Sequence, residues 1–280
     1  MLLFVVGIAL AAGSLLAAQK FGLRRALPFV ALVSVALLGL SDYLLGIAPL
    51  VGLAASYQLD RSQTYGWVIA GAALPGALLA LQLMAIMPAT LPGELVDEQL
   101  RLQREQMASF GLPVNEELSE LQEQAVRVGY ALLPSVVFFF ALLQAVLAYR
   151  VGHAAAGLAD VVLPPPAPLR GWRPWSLLIW VLVGGLALSL TGGAWVADLG
   201  RNLVVVMTVI YAGQGVAVVR HLAHRLGVGV MLEIAFYGVL ALSFVGLLLL
   251  PLVGLLDTWF DWRRLDVDGE DKNGDPRLDD

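Results

Sequence analysis

The chain contains no cysteine, which excludes disulfides, thiolate nucleophiles, iron-sulfur clusters and zinc-thiolate sites. Charge is scarce as well: Asp, Glu, Lys and Arg make up 14% of 280 residues, against about a quarter in a soluble domain. Histidine is confined to His153, His221 and His224. No GxSxG elbow, HExxH pair, Walker loop or acyltransferase-like His-Asp spacing is visible. The residues therefore give no reason to expect an enzyme, a cofactor or a metal. With 17 basic residues against 22 acidic ones and a net charge of −5, there is no basic footprint for nucleic acid.

What the chain has in abundance is apolar surface. Hydrophobic residues are 59% of the total and the mean hydropathy is +0.80. A water-soluble globule of this size would expose apolar patches that aggregate, so the expected solvent is lipid. The acidic excess sits at one end: Asp266, Asp268, Glu270, Asp271, Asp275, Asp279 and Asp280, against Lys272 and Arg277, account for the whole net charge of −5.

A membrane helix needs about 20 mostly apolar residues. Residues 2–18 are uncharged and lack the basic start of a signal peptide, so they read as a first span. Residues 26–57 are interrupted only at Ser41, Asp42 and Tyr43. They are too long for one upright helix and read as two short spans, 26–40 and 44–57, the alternative being one helix kinked near Gly46 and Pro49. Further spans are expected at 66–87, at 129–149 with a kink at Pro134, at 175–192, at 202–219 after a turn through Gly192, Gly193, Asp198 and Gly200, and at 230–256. Under eight spans the basic clusters Lys20/Arg24/Arg25, Arg150/Arg170/Arg173 and Arg220/Arg225 share one side, which the positive-inside rule makes cytoplasmic. Arg263 and Arg264 then fall outside, unless residues 228–259 form two short spans or an earlier run is miscounted.

Residues 93–128 differ in kind. Charged residues from Glu94 to Arg127 alternate with spaced apolar ones, and Gly111 and Pro113 divide the stretch. An amphipathic helical hairpin outside the bilayer is expected, with Leu118, Leu121, Ala125 and Val128 on one stripe packed against the protein itself. The organisation is then 1–92 N-terminal spans, 93–128 hairpin, 129–264 C-terminal spans and 265–280 disordered acidic tail. The tail's Asp-rich strings imitate a calcium loop but carry Asp271 and Pro276 where position six needs glycine, so they read as disorder. VVLPPPAPLRGWRP is a stiff linker, and Trp172 and Trp175 read as an interfacial belt.

Polar groups inside a bilayer are costly, and they usually face a bundle interior or a cavity. Thr208, Tyr211, Gln214, Val218 and His221 recur at spacings of three and four on one helical face, with Asn202 near that helix's start. Gln82, Gln144 and Glu233 are isolated groups that could meet this face. Two readings stay open: helix-to-helix hydrogen bonds, or a polar binding cavity lined by Asn202, Thr208, Tyr211, Gln214 and Glu233. His221 and His224, beside Arg220 and Arg225, read as a basic cluster reaching toward lipid phosphates rather than as metal ligands.

The string GRNLVVVMTVIYAGQGVAVVRHLAHRLG followed by LVGLLDTWFDWRR resembles the YybS-like family of predicted bacterial membrane proteins. The resemblance rests on an order of elements: a charged insertion, LLPSVVFFF, GWRPW, then Q-G-x-A-V and G-L-x-D-x-W. It covers roughly residues 60–264. At the level of fold it implies a distant similarity to the substrate-capturing membrane subunits of energy-coupling-factor vitamin transporters. The expectation is thus an all-α, polytopic bundle of about eight spans in a bacterial cytoplasmic membrane. It would act as a small-molecule binding or transport component, with an energising ATPase module as partner. The alternative is a scaffold that recruits a soluble partner through the 93–128 hairpin.

Overall fold

A computed structural model describes residues 2–39, 43–61, 65–86, 97–98, 100–102, 105–106, 109, 116–166, 168 and 171–263. For residues 116–119, 194, 230, 233–234, 241–242, 244–245 and 247 it describes the backbone alone. Every regular element among the described residues is helical: α1 (Leu2–Phe21), α2 (Leu23–Leu38), α3 (Tyr43–Arg61), α4 (Tyr65–Ala72), α5 (Leu74–Ile86), α6 (Glu116–Ala131), α7 (Leu133–Ala155), α8 (Leu178–Thr191), α9 (Ala194–Arg225), α10 (Val230–Leu242) and α11 (Phe244–Phe260). Four described stretches are long and apolar enough to cross a membrane: Leu2–Phe21, Tyr65–Ile86, Leu133–Ala159 and Trp195–Arg225. Leu178–Thr191 and Leu248–Phe260 are shorter apolar helices.

The chain forms two compact units, residues 1–166 with 185–203, and residues 167–184 with 204–280. In the first, α1, α3 and α7 enclose a core of small residues, Ala11, Ala12, Ala48, Ala55, Ala145 and Ala148, filled out by Leu15, Val51 and Tyr149. In lipid, burying apolar surface gives little drive to helix association, so backbones must approach closely enough for dispersion and polar contacts to hold them. At Gly52 a β-carbon would run into the Ala11 carbonyl and the Ser14 hydroxyl. Ser14 shares its proton between the carbonyls of Ala11 (3.0 Å) and Pro49 (2.9 Å). One turn on, Gln19 Nε2 donates to Ser56 Oγ at 2.8 Å and to Asp60 Oδ1 at 3.2 Å. Gly22, with φ +87°, makes the tight turn into α2 that a side chain would strain. The proline linker is anchored at its start, where Leu163 enters the core and the Tyr149 hydroxyl donates to the Pro164 carbonyl at 2.8 Å.

Several boundaries depart from the sequence reading. Residues 26–57 do form two helices, α2 and α3, and Gly46 and Pro49 lie inside an unbroken α3. The expected span 66–87 is present as the apolar stretch Tyr65–Ile86, with a one-residue interruption at Ala73, two residues before Pro75, that parts α4 from α5. At Pro134, where a kink is expected, α6 and α7 are parted only at Leu132, two residues before the proline, with backbone bonds from Leu132 N to the Val128 carbonyl and from Val136 N to the Leu132 carbonyl on either side. Asp198 and Gly200 are not in a turn. They lie within α9, where Asp198 pairs with Arg201 at 2.7 Å and Gly200 faces the Gly185 carbonyl and Ser189 N too closely for a β-carbon. The run 230–256 is two helices rather than one, divided at Ser243, whose extended backbone interrupts the helix and whose hydroxyl caps α11 by accepting from Gly246 N at 3.0 Å.

The hairpin stripe is corrected too. Leu121, Ala125 and Val128 are exposed, and it is Val126 and Tyr130, on an adjoining face of α6, that pack on Leu100. The side chain of Leu118, the break at Gly111 and Pro113, and the acidic tail lie outside the described residues.

Candidate functional site

In the second unit, α9 and α11 cross at a pair of glycines. A β-carbon at Gly215 would enter the Leu250 carbonyl, and one at Gly254 would enter the Tyr211 carbonyl and lie 2.7 Å from Gly215 N. Such backbone-to-backbone contact brings even short side chains of the two helices within reach of each other. One turn beyond Gly254, Asp257 meets Gln214, whose Nε2 donates to Asp257 Oδ2 at 3.0 Å. The Thr258 hydroxyl lies 3.4 Å from Gln214 Oε1.

The end of α11 completes the arrangement. Asp261 adopts a left-handed conformation, φ 39° and ψ 53°, and its N–H closes the helix on the Asp257 carbonyl at 3.1 Å. Aspartate is among the few residues that tolerate this region, and a left-handed residue after a helix turns the chain back. Arg263 is thereby returned to α11, where its Nε (3.1 Å) and Nη2 (2.7 Å) both donate to Asp257 Oδ2. Its Nη1 donates to the Trp172 carbonyl at 2.9 Å. Arg173 bonds the Thr258 carbonyl at 3.0 Å and lies 3.9 Å from Asp261. The Trp172 ring packs 3.4 Å from the position a β-carbon would take at Gly213. The side chains of Asp257 and Arg263 have no solvent exposure.

Burying a carboxylate and a guanidinium costs several kcal/mol per ion unless pairing and further hydrogen bonds offset it. Here three donors converge on Oδ2, while Asp257 Oδ1, equally buried, has no hydrogen-bond partner among the described residues. The hydroxyl of Tyr211, a residue 1% exposed, is in the same condition. A buried acceptor and a buried hydroxyl left open in this way are capacity for a donor or acceptor group from elsewhere.

Of the five residues expected to line a cavity, the structure describes the side chains of four, Asn202, Thr208, Tyr211 and Gln214. Tyr211 and Gln214 are buried in this unit, and Gln214 belongs to the ion network. Asn202 belongs to the first unit and is spent on a clasp: its Oδ1 accepts from Ser135 N at 2.9 Å, and its Nδ2 donates to the carbonyls of Ala131 and Asp198, each at 2.8 Å. Thr208 is exposed and its hydroxyl donates to the Val204 carbonyl of its own helix at 2.8 Å. Glu233 stands near the start of α10, and its side chain lies outside the described residues. Gln144 packs against Gly7, and Gln82 lines an apolar groove of the first unit. Sequence reasoning did not include Asp257, Arg263 or Arg173 in the site, and read the two arginines only as charges at the ends of spans. The available signal was that Asp257 sits within an apolar helix, one turn before its end.

Comparison with known proteins gives one family match: a model described as a predicted membrane protein, DUF2232, matches residues 1–258. No curated protein and no solved structure matches the chain.

Proposed function

We propose, for a chain that belongs to the DUF2232 family of predicted membrane proteins, that it is a membrane component that binds a polar small molecule inside its helix bundle, for capture or transport. The observation that carries this reading is the buried Asp257 carboxylate with one oxygen open, in the same unit as the open Tyr211 hydroxyl. Ionisable groups within apolar helices are expensive and commonly mark a substrate or ion site. Asp257 Oδ1 would accept from a donor group of the ligand. Tyr211 would bond a second polar atom, and Gln214 and Arg263 would hold the carboxylate in place. Glu233 is the remaining member of the proposed set.

The organisation that goes with this function is about eight crossings: α1, α2, α3, α4 with α5, α7, α8, α9, and α10 with α11. The hairpin of 93–128 and the tail of 265–280 would lie outside the bilayer, in the cytoplasmic membrane of a bacterium. The resemblance to YybS-like proteins, and through them to substrate-capturing transporter subunits, points the same way. The chain holds no nucleotide-binding loop, so active uptake would draw on a separate ATPase. The test is purification of the whole chain in mild detergent with mass spectrometry of retained metabolites and co-purifying proteins. A stoichiometric metabolite should be retained by the wild type and lost from Tyr211→Phe/Gln214→Leu. Undiminished retention by a folded double variant would sink the proposal.

One observation favours a second reading, a membrane scaffold. Leu121 and Val128 are 63% and 57% exposed on α6, a helix whose other face carries Glu120, Glu123 and Arg127. For a scaffold this uncovered stripe would be the surface for a soluble partner. Leu121→Ser/Val128→Ser should then abolish the partner's recovery without changing metabolite retention.

A further inference from the structure

A second site lies in the first unit. Helices α2, α3 and α5 enclose a groove of about 720 Å³, lined by Leu23, Leu27 and Leu38 from α2, by Tyr43, Ile47, Leu50, Leu53, Ala54 and Tyr57 from α3, and by Pro75, Leu78, Leu79 and Gln82 from α5. Only Tyr43, Tyr57 and Gln82 bring polar atoms to it. A polar solute placed here would lose its hydration with almost nothing to replace it, so the wall chemistry selects hydrocarbon. The groove reaches from Leu23 to Leu38, about 22 Å at roughly 1.5 Å per residue. That exceeds half of a hydrocarbon core of about 30 Å. Its rim faces outward, with Leu27, Tyr43, Tyr57 and Leu78 all between 40% and 66% exposed.

One end of the groove is cationic. Arg24 follows Leu23 and stands at i,i+3 to Leu27, which puts it beside the lining face of α2. On α3, Arg61 lies over the ring of the lining residue Tyr57, 4.7 Å from its centroid. Neither arginine forms an ion pair among the described residues. The nearby acids are engaged elsewhere, Asp60 with Gln19 and Asp160 with Lys20. A long apolar slot ending at two uncompensated guanidinium groups has the complementary chemistry of an anionic lipid, with its chain in the slot and its phosphate at the arginines.

We infer that the groove between α2, α3 and α5 is a binding site for an anionic membrane phospholipid, whose headgroup phosphate is held by Arg24 and Arg61. It is independent of the Asp257 cluster and stands whether or not that cluster binds a ligand. Arg25, about half a turn from the lining face of α2, takes no part.

The test is native mass spectrometry of the full chain after equilibration in micelles with equimolar phosphatidylglycerol and phosphatidylcholine. The wild type and Arg25→Gln should retain phosphatidylglycerol several-fold over phosphatidylcholine. Arg24→Gln/Arg61→Gln should retain the two equally. Ala54→Phe, which fills the slot from α3, should retain less of both. Equal retention by the wild type, an unchanged preference in the double variant, or an equal loss in Arg25→Gln would overturn the assignment. All three arginines are exposed, so these variants leave the fold intact and the comparison remains readable.

Discussion

The two units solve the same packing problem with different chemistry. In the first, helices meet through alanine and glycine, and the buried polar groups are neutral ones such as Ser14, Ser56, Ser135 and Asn202. In the second, equally close glycine contacts at Gly215 and Gly254 sit beside a fully buried Asp257–Arg263 pair. Close approach therefore does not require charge. Among the described residues of the first unit the charged pairs stay partly exposed, and small residues with neutral hydrogen bonds hold its core, so the fully buried ion pair of the second calls for another explanation. A buried pair is weak evidence for stability, because apolar residues of similar volume often serve as well.

The contrast can be broken most forcefully at Asp257. Asp257→Ala leaves the Arg263 guanidinium buried without its partner and should cost about 3–5 kcal/mol of stability, read as a lower unfolding midpoint in detergent. Asp257→Leu/Arg263→Met should restore most of that loss. If the double variant is as unstable as the single one, the pair is structural and the two units differ only in the chemistry of their packing.

Packing should prove alike in both units. Gly52→Ala and Gly254→Ala each drive a β-carbon into a neighbouring carbonyl and should each cost about 1–3 kcal/mol, measured by the same unfolding curves. Asn202→Ala removes a neutral clasp and should cost about 1 kcal/mol, visible as a smaller shift of the midpoint. Thr208→Val should lie within about 0.5 kcal/mol of wild type, because its exposed hydroxyl bonds only its own helix.

Much of the helical plan was legible, because long apolar runs and their polar breaks are strong signals: the interruption at Ser41 to Tyr43 correctly divided α2 from α3. Breaks without charge or proline were not. Ser243 divides an apolar run and betrays itself only by capping Gly246. Asp198 and Gly200 resemble turn residues, yet one forms an i,i+3 pair and the other a close helix contact. On α6, helical spacing located an apolar stripe but could not say that Val126 and Tyr130, on an adjoining face, were the residues to be covered.

Within the candidate site, the three-residue spacing of Tyr211 and Gln214 was sufficient to place them on one face, since helix geometry is local. Their partners were not legible. Arg263 reaches Asp257 only because Asp261 turns the chain back through a left-handed conformation, and no periodicity encodes that return. The elements GWRPW, Q-G-x-A-V and G-L-x-D-x-W, far apart in the chain, are joined through Trp172, Gln214 and Asp257.

The most direct test of the central claim, that Asp257 is buried as a binding group rather than as a structural one, is metabolite retention by Asp257→Leu/Arg263→Met compared with the wild type at matched unfolding midpoints. The account predicts a folded protein that has lost the small molecule the wild type carries. Retention of the same molecule by the charge-free variant would contradict it.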